Sequence, residues 1–447
     1  MKRREILKAG ALGLLTGSLS GARGYEERFA GRKLRVGLIG TGWQGKVDLF
    51  RLIQVAPVEV VSLCDVNAKC LDEAARIVAE RQISKKTPRK YNDYREMFAA
   101  KDLDAVLIGT PDHWHALQMI DAVESGLDVF VQKPIGVDVR ECEAMHRAAR
   151  RTGKVVQVGM QRRTTEHLMR AKKEIFDSGK IGRVAQADIY TYYGGSGVFA
   201  QEPVPVPNGF DYELWAGPAP KLPFRPQLQR GLWRAFMEYS NGYLGDMGVH
   251  MFDMTRWFLG LKWPKRIWST GGIYIKQKGV ANIPDTQTVI FEYDDLEVVW
   301  NHRNWSDAPD PKYPWGGTYH GENGELKASV FGFDFRKYRS SEKISADVVY
   351  ELDQYPEDKT EPRLEKHAAP AVRGLMKDWL DRIADRGRPV CDIEEGMIST
   401  ICCILGNISL QLHRPLEWDP IACQVKNDEE ANALLARPYR SPWKHPM

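Results

Sequence analysis

The sequence predicts an α/β protein, with a doubly wound parallel sheet first and a second half whose strands run mostly antiparallel. Three observations carry this. Short apolar runs alternate with helical patterns from Leu34 to about Val158, which is the layout of successive βαβ units. The first apolar run, RVGLIGTGWQG, feeds directly into a Gly40-x-Gly42-x-x-Gly45 turn. After Gly159 apolar and polar residues alternate over 183–192, 285–293 and 295–303, the period of half-buried strands.

In the first half, strands are expected over 34–39, 58–64, 105–109, 128–131 and 155–158, with helices over 69–82 and 114–125 between them. The glycine turn has a mechanical reading. Gly40 permits a tight turn, Gly42 lets the backbone approach a pyrophosphate, and Gly45 lets the next helix press against the strand. Thr41, Trp43 and Gln44 complete the loop, and the helix N-terminus offers free N–H groups to phosphates. The second strand, VEVVSLCD, ends on Asp65. A carboxylate there accepts both ribose hydroxyls of NAD and repels the extra phosphate of NADP. The following Val66, Asn67 and Ala68 supply no arginine. NAD rather than NADP is the expected cofactor of a domain spanning 32–158.

Further along, LIGTPDHWH covers residues 107–115. Ligands of doubly wound sheets bind at the carboxyl ends of strands, so Thr110, Pro111, Trp114 and His115 should border the cofactor, with Trp114 able to cover its nicotinamide or ribose face. His113-x-His115 lacks a third ligand nearby, and no metal is expected. His115 reads equally well as a helix start bonded to backbone. The run DVFVQ leads through Gln132 to Lys133-Pro134. A lysine at such a strand end can bond a substrate hydroxyl and stabilise the alkoxide it becomes. In NGYLGDMGVHMFD, Asp246 and His250 are four residues apart, which places them on one helix face. A histidine suits removal of a hydroxyl proton. A core histidine beside an acid leaves the same local trace, and both readings stand at this point.

Taken together, GTGWQG, TPDHWH, QKP and GYLGDMGVH resemble the Gfo/Idh/MocA family of oxidoreductases, over most of the chain after residue 32. The resemblance implies a Rossmann domain followed, over 159–447, by an α/β domain with a large, mostly antiparallel sheet. That sheet binds substrate and often builds the oligomer interface, so a dimer or tetramer is expected. It also implies a catalytic trio of Lys133, Asp246 and His250, the histidine serving as acid/base. One departure stands out: the family's glutamate before the lysine is Gln132 here. An amide can still bond ribose or carboxamide but brings no charge. The implied activity is hydride transfer between a carbohydrate or polyol and tightly bound NAD. Two alternatives accompany it: a redox-neutral, NAD-dependent glycosidase working by oxidation at C3, elimination and reduction, and a non-catalytic sugar or nucleotide sensor. The chain has 13 Trp and 17 Tyr. Arg163, Tyr192, Trp233 and Arg234 are the candidate substrate residues, since aromatic faces and cations suit a sugar's C–H faces and hydroxyls.

Residues 1–24 begin MKRREILK, with Arg3-Arg4 preceding the weakly apolar run AGALGLLTGSLSGA. That run is too short and mild to span a bilayer, and it resembles a twin-arginine export signal. A periplasmic or otherwise exported protein is expected, touching a membrane only during export. Net charge is +4 over 447 residues, and this segment holds five basic residues against Glu5, so the remainder is near neutral. Nucleic acid is not an expected partner. Seven scattered cysteines fit neither a disulfide framework nor a zinc site. A helix over 163–178 should link the halves, proline-rich loops cover 202–207 and 217–226, late helices fall at 371–385 and 395–413, and the tail ARPYRSPW should run extended on the surface.

Overall fold

The computed structural model describes residues 29, 31–192, 202–229 and 231–447. The export-signal expectation over 1–24 lies outside them. Six strands form the first sheet: β1 (Arg35–Ile39), β2 (Glu59–Cys64), β3 (Arg89–Tyr91), β4 (Ala105–Ile108), β5 (Asp128–Val131) and β6 (Val156–Val158). All pair in parallel, in the order β3-β2-β1-β4-β5-β6. Val36, Leu38, Val106, Leu107 and Val129 are fully buried, because helices cover both faces of such a sheet. Those helices include α1 (Trp43–Val55), α2 (Ala68–Arg81), α3 (Tyr94–Ala99), α4 (His115–Glu124) and α5 (Val139–Thr152). Side chains cap several of them: Asn67 accepts from Lys69 N and Cys70 N, Asp93 from Arg95 N, and Asp138 from Glu141 N, as small polar N-caps do. The strand order reverses between β1 and β4, so the chain leaves Ile39 and Ile108 side by side and opens a crevice at their carboxyl ends.

The second sheet has ten strands. They are β7 (Val184–Thr191), β8 (Arg266–Gly272), β9 (Thr286–Glu292), β10 (Glu297–Arg303), β11 (Trp315–Gly321), β12 (Gly324–Ser329), β13 (Gly332–Lys337), β14 (Lys343–Asp347), β15 (Leu416–Asp419) and β16 (Gln424–Val425). The order is β14-β13-β12-β11-β7-β10-β9-β8-β15-β16. Every pairing is antiparallel except that of β10 with β7. The mostly antiparallel sheet expected for the second half is therefore present. The linking helix is not continuous: a 3₁₀ turn (Gln161–Thr164) precedes α6 (Glu166–Ala171), which passes into a π-helical turn (Lys172–Asp177). Three later helices are α7 (Val249–Leu259), α8 (Ala369–Asp385) and α9 (Ile393–Leu412). α9 is long and apolar enough to cross a membrane by composition, yet 72% of its most apolar window is buried inside the protein.

The two halves share their cores. α8 supplies Val372, Leu375, Met376, Trp379 and Ile383 to the cluster built on β1 and β2, and Trp379 meets Phe130 of β5 edge-on at 5.9 Å. The first sheet is thus closed by residues more than two hundred positions away. Buried ion pairs bolt the same contact: Arg51 to Glu361 at 2.7 Å and Arg373 to Asp358 at 2.7 Å. The tail packs along the surface, as expected, and ties down the first half. Arg437 N donates to Asp138 and its guanidinium to Asn241 at 2.7 Å, while Trp443 meets Trp114 at 4.8 Å. The seven cysteines are unpaired, five of them buried.

Candidate active site

A cavity of about 770 Å³ runs from the carboxyl edge of the first sheet to the second half of the chain. Its upper end is the glycine turn. Gly40 has φ +85°, and a Cβ there would strike Gly109 backbone at 2.8 Å. A Cβ on Gly45 would lie 1.9 Å from the Gly40 carbonyl oxygen, so only glycine lets α1 sit this close to β1. A Cβ on Gly42 would meet nothing within 4 Å. That open space at the N-terminus of α1 is where a pyrophosphate fits. Asp65 lies beside it with both oxygens engaged: Oδ2 accepts from Thr41 N and Oγ1 at 2.6 and 3.0 Å, and Oδ1 accepts from Asn67 N at 2.8 Å. Trp43 borders the turn with the Arg363 guanidinium 5.2 Å from its ring. Gln44 donates to Asp48 at 3.1 Å.

Gln132 is explained by what stands behind it. Its Nε2 donates to Asp48 Oδ2 at 2.8 Å. Asp48 is buried on α1, and burial pushes its carboxyl up to about 7 against the pull of the two amides. An acid thus stands behind position 132, on the neighbouring helix. His115 begins α4, with Nδ1 against Pro134 O at 2.7 Å and Nε2 against Thr110 O at 2.9 Å. Burial drives it down to about 4 against the pull of the two carbonyls; in the neutral ring one nitrogen donates to its carbonyl and the other only abuts the second. His113 bonds Trp215 O at 3.0 Å. Thr110 Oγ1 donates to Gln118, and Pro111 lines the cavity beside it. Trp114 borders the cavity, but Nε1 donates to Leu214 O and Trp215 O and its ring is wedged between Tyr94 and Trp443. It is clamped as a wall and is not free to swing over a ring.

At the cavity floor the two halves meet through charge. Lys133 Nζ donates to Asp246 Oδ1 at 2.6 Å and to its carbonyl at 2.9 Å. Arg234 Nε donates to the same Oδ1 at 3.2 Å. Burial alone would raise the Asp246 carboxyl, but Lys133 and Arg234 outweigh it and hold it at about 2. Asp246 lies in a π-helical turn (Leu244–Gly248) that runs into α7, which carries His250; both line the cavity. His250 is 3% exposed, and its Nδ1 has no hydrogen-bond partner. Burial, with Lys133 and Arg162 nearby, lowers it well below the usual histidine range. Trp315 stands edge-on to its ring at 5.5 Å.

Of the four candidate substrate residues, two reach this cavity. Trp233 and Arg234 both line it, the guanidinium 4.2 Å over the indole. Arg163 and Tyr192 require correction. Arg163 forms a forked pair with Asp253 at 2.8 and 2.9 Å and also bonds Glu395; it ties α7 to α9 inside the protein. Its neighbour Arg162 points the other way, 4.6 Å over the Trp315 ring. Tyr192 follows β7, where Ala187 and Ile189 face the core. Strand alternation puts Tyr190 and Tyr192 on the opposite face, stacked on each other at 5.2 Å with Arg303 over Tyr192 at 4.3 Å. Missed by the sequence reading are Gly109, Asp48 and Asp112. Gly109 and Asp112 lie inside the quoted LIGTPDHWH segment.

Residues 34–160 match the NAD-binding Rossmann domain of the Gfo/Idh/MocA oxidoreductase family, and residues 179–304 and 354–445 match its C-terminal α/β domain. The chain belongs to this family. β11–β14 lie between the two matched C-terminal segments and are outside the match. An α-N-acetylgalactosaminidase of Shewanella oneidensis is 35% identical over 123 residues, 27% of each chain. The chain thus spans about a quarter of the length of such curated relatives. Among solved structures, an oxidoreductase from Agrobacterium radiobacter in complex with NAD+, L-tartaric acid and magnesium superposes with TM-score 0.65 at 16% identity, covering 86% of this chain and 98% of that one. A levoglucosan dehydrogenase in complex with NADH and levoglucosan gives 0.63 at 20%, covering 86% and 99%. These likenesses establish the fold.

Proposed function

We propose that the protein is an exported, NAD-dependent oxidoreductase acting on a carbohydrate or polyol hydroxyl, with the nucleotide held tightly along the cavity. The single observation that carries this is the Lys133–Asp246–His250 constellation, assembled from both halves at the floor of a cavity whose other end is the open glycine turn. Asp65 at the end of β2, without an adjacent arginine, supports NAD over NADP. When bound, the pyridine nucleotide supplies the acceptor for hydride leaving a carbinol carbon.

The chain's own groups do the rest. Lys133 Nζ and Arg234 place two cations against the one anion of Asp246. The surplus positive charge favours an oxyanion at the substrate hydroxyl. His250, kept neutral, has a ring nitrogen ready to accept the hydroxyl proton. Its lowered affinity for that proton makes the imidazolium a good donor for the return step, which suits a cofactor regenerated in place on a second carbonyl. Trp233 and Trp315 give apolar walls for a sugar's C–H faces. The export reading rests on residues 1–24. A homo-oligomer formed on the outer face of the second sheet is supported by Trp268, 52% exposed there.

The test uses the protein as isolated. D-glucose, myo-inositol and a 4-nitrophenyl glycoside are added, and bound-nucleotide reduction and nitrophenolate release are followed by absorbance. Reduction by a sugar or polyol supports the reading. Nitrophenolate release without net reduction would replace it with the redox-neutral glycosidase, the activity type that the Shewanella relative's name brings into view. Neither signal would leave the sensor reading.

A further inference from the structure

We infer that Asp112 is a substrate-binding residue whose un-ionised carboxyl donates a hydrogen bond to a sugar or polyol hydroxyl in this cavity. The inference rests on the proposed function for the class of ligand. Its geometry stands separately.

Asp112 opens the one-turn helix Asp112–Trp114 just beyond β4. The residue is 2% exposed and lines the same cavity as Lys133, Asp246 and His250. Its Oδ2 has no hydrogen-bond partner, and among the described residues it forms no ion pair. Four charged groups face it: Arg234, Asp246, Lys133 and Arg437. The cations among them are committed elsewhere, Lys133 and Arg234 to Asp246 and Arg437 to Asn241 and the main chain. A buried carboxylate without donors is costly, and the group keeps its proton instead. In agreement, burial outweighs Arg234 and pushes Asp112 up to about 8. Asp246, in the same cavity with two cations in contact, goes the other way. Two carboxyls with opposite protonation in one site take opposite roles.

The role of Asp112 follows from its place in the cavity. Lys133 and Arg234 spend part of their donor capacity on Asp246 and bring charge with the rest. His250, being neutral, accepts the proton of the reacting hydroxyl. A polyol brings several hydroxyl oxygens that need a donor. Asp112 supplies an O–H donor that carries no charge and so leaves the positive surplus around Lys133 intact.

The experiment is infrared difference spectroscopy of the NAD-loaded protein, with Asp112→Asn to assign the signal. A carboxylic-acid C=O band is expected at pH 7 in the native protein. It should be missing from the variant, fade as pH rises through about 8, and shift when D-glucose or myo-inositol is added. A merely structural acid would show a band unmoved by both polyols. The inference is overturned if no acid band at pH 7 is removed by the substitution, or if neither polyol moves it. Should Asp112→Asn fail to fold, Asp112→Ser provides the same assignment. Neither readout needs turnover, so loss of the redox reading and loss of the Asp112 inference are distinguishable.

Discussion

Lys133→Ala keeps the nucleotide and loses turnover, by about 10²–10³-fold. The lysine side chain ends β5 and spans to Asp246 on the far side of the cavity, while the groups that cradle phosphates lie at the glycine turn. Truncation removes one of the two cations that offset Asp246 and leaves Arg234 at 3.2 Å as the remaining partner. The cavity floor changes from a net positive charge to near neutrality, and an oxyanion forming beside His250 loses its nearest counter-charge. His250 itself becomes easier to protonate, since Lys133 is one of the groups lowering it. The acid limb of the pH–rate profile should therefore move upward in the variant. Nucleotide content after denaturation and the melting temperature serve as controls. Lys133→Arg is not a rescue, because a planar fork does not replace a compact ammonium. Unchanged turnover would remove Lys133 from the mechanism.

Gly45→Ala abolishes nucleotide binding and destabilises the first sheet, by about 3 kcal/mol or more. The new Cβ would sit 1.9 Å from the Gly40 carbonyl oxygen, and a Cβ placed on Gly109 would in turn lie 2.8 Å from the Gly45 Cα. The severe contact is with main chain, and moving the Leu38 side chain, next at 3.2 Å, would not relieve it. α1 must lift from β1 and β4, and the phosphate turn opens with it. Gly42→Ala makes the contrast, since its Cβ meets nothing within 4 Å. That variant should melt like the native protein without nucleotide yet bind NAD weakly, because the methyl occupies the space a pyrophosphate needs. Melting curves with and without added NAD separate the two. Equal behaviour of the two variants would mean the turn does not work as described.

The first half of the fold was legible because its signals are local. β1, β2, β4, β5 and β6 fall within a residue or so of the runs that announced them, and so does α4. Sequence could not show that α8 closes the first sheet, since that depends on Trp379 finding Phe130. The helix expected over 163–178 broke into 3₁₀, α and π turns, and no periodicity distinguishes these. Site residues tied to a motif were brought to one cavity: the glycine turn, Lys133, Asp246 and His250. Residues chosen for chemical type fared worse. Arg162 and Arg163 are adjacent and chemically identical, and only the packing around Asp253 and Trp315 decides which one approaches His250. Tyr192 failed through strand parity, which a register one residue different would have reversed. Asp112 was passed over because histidines and a tryptophan around it carried stronger signals, and burial without a partner cannot be read from sequence.

The most direct measurement is the structure of the NAD complex. The account places the pyrophosphate on the Gly42 turn and the nicotinamide against Lys133 and His250, with Gln132 alongside. A nucleotide whose reactive ring lies away from both side chains, or a saturated crystal with that cavity empty, would contradict it.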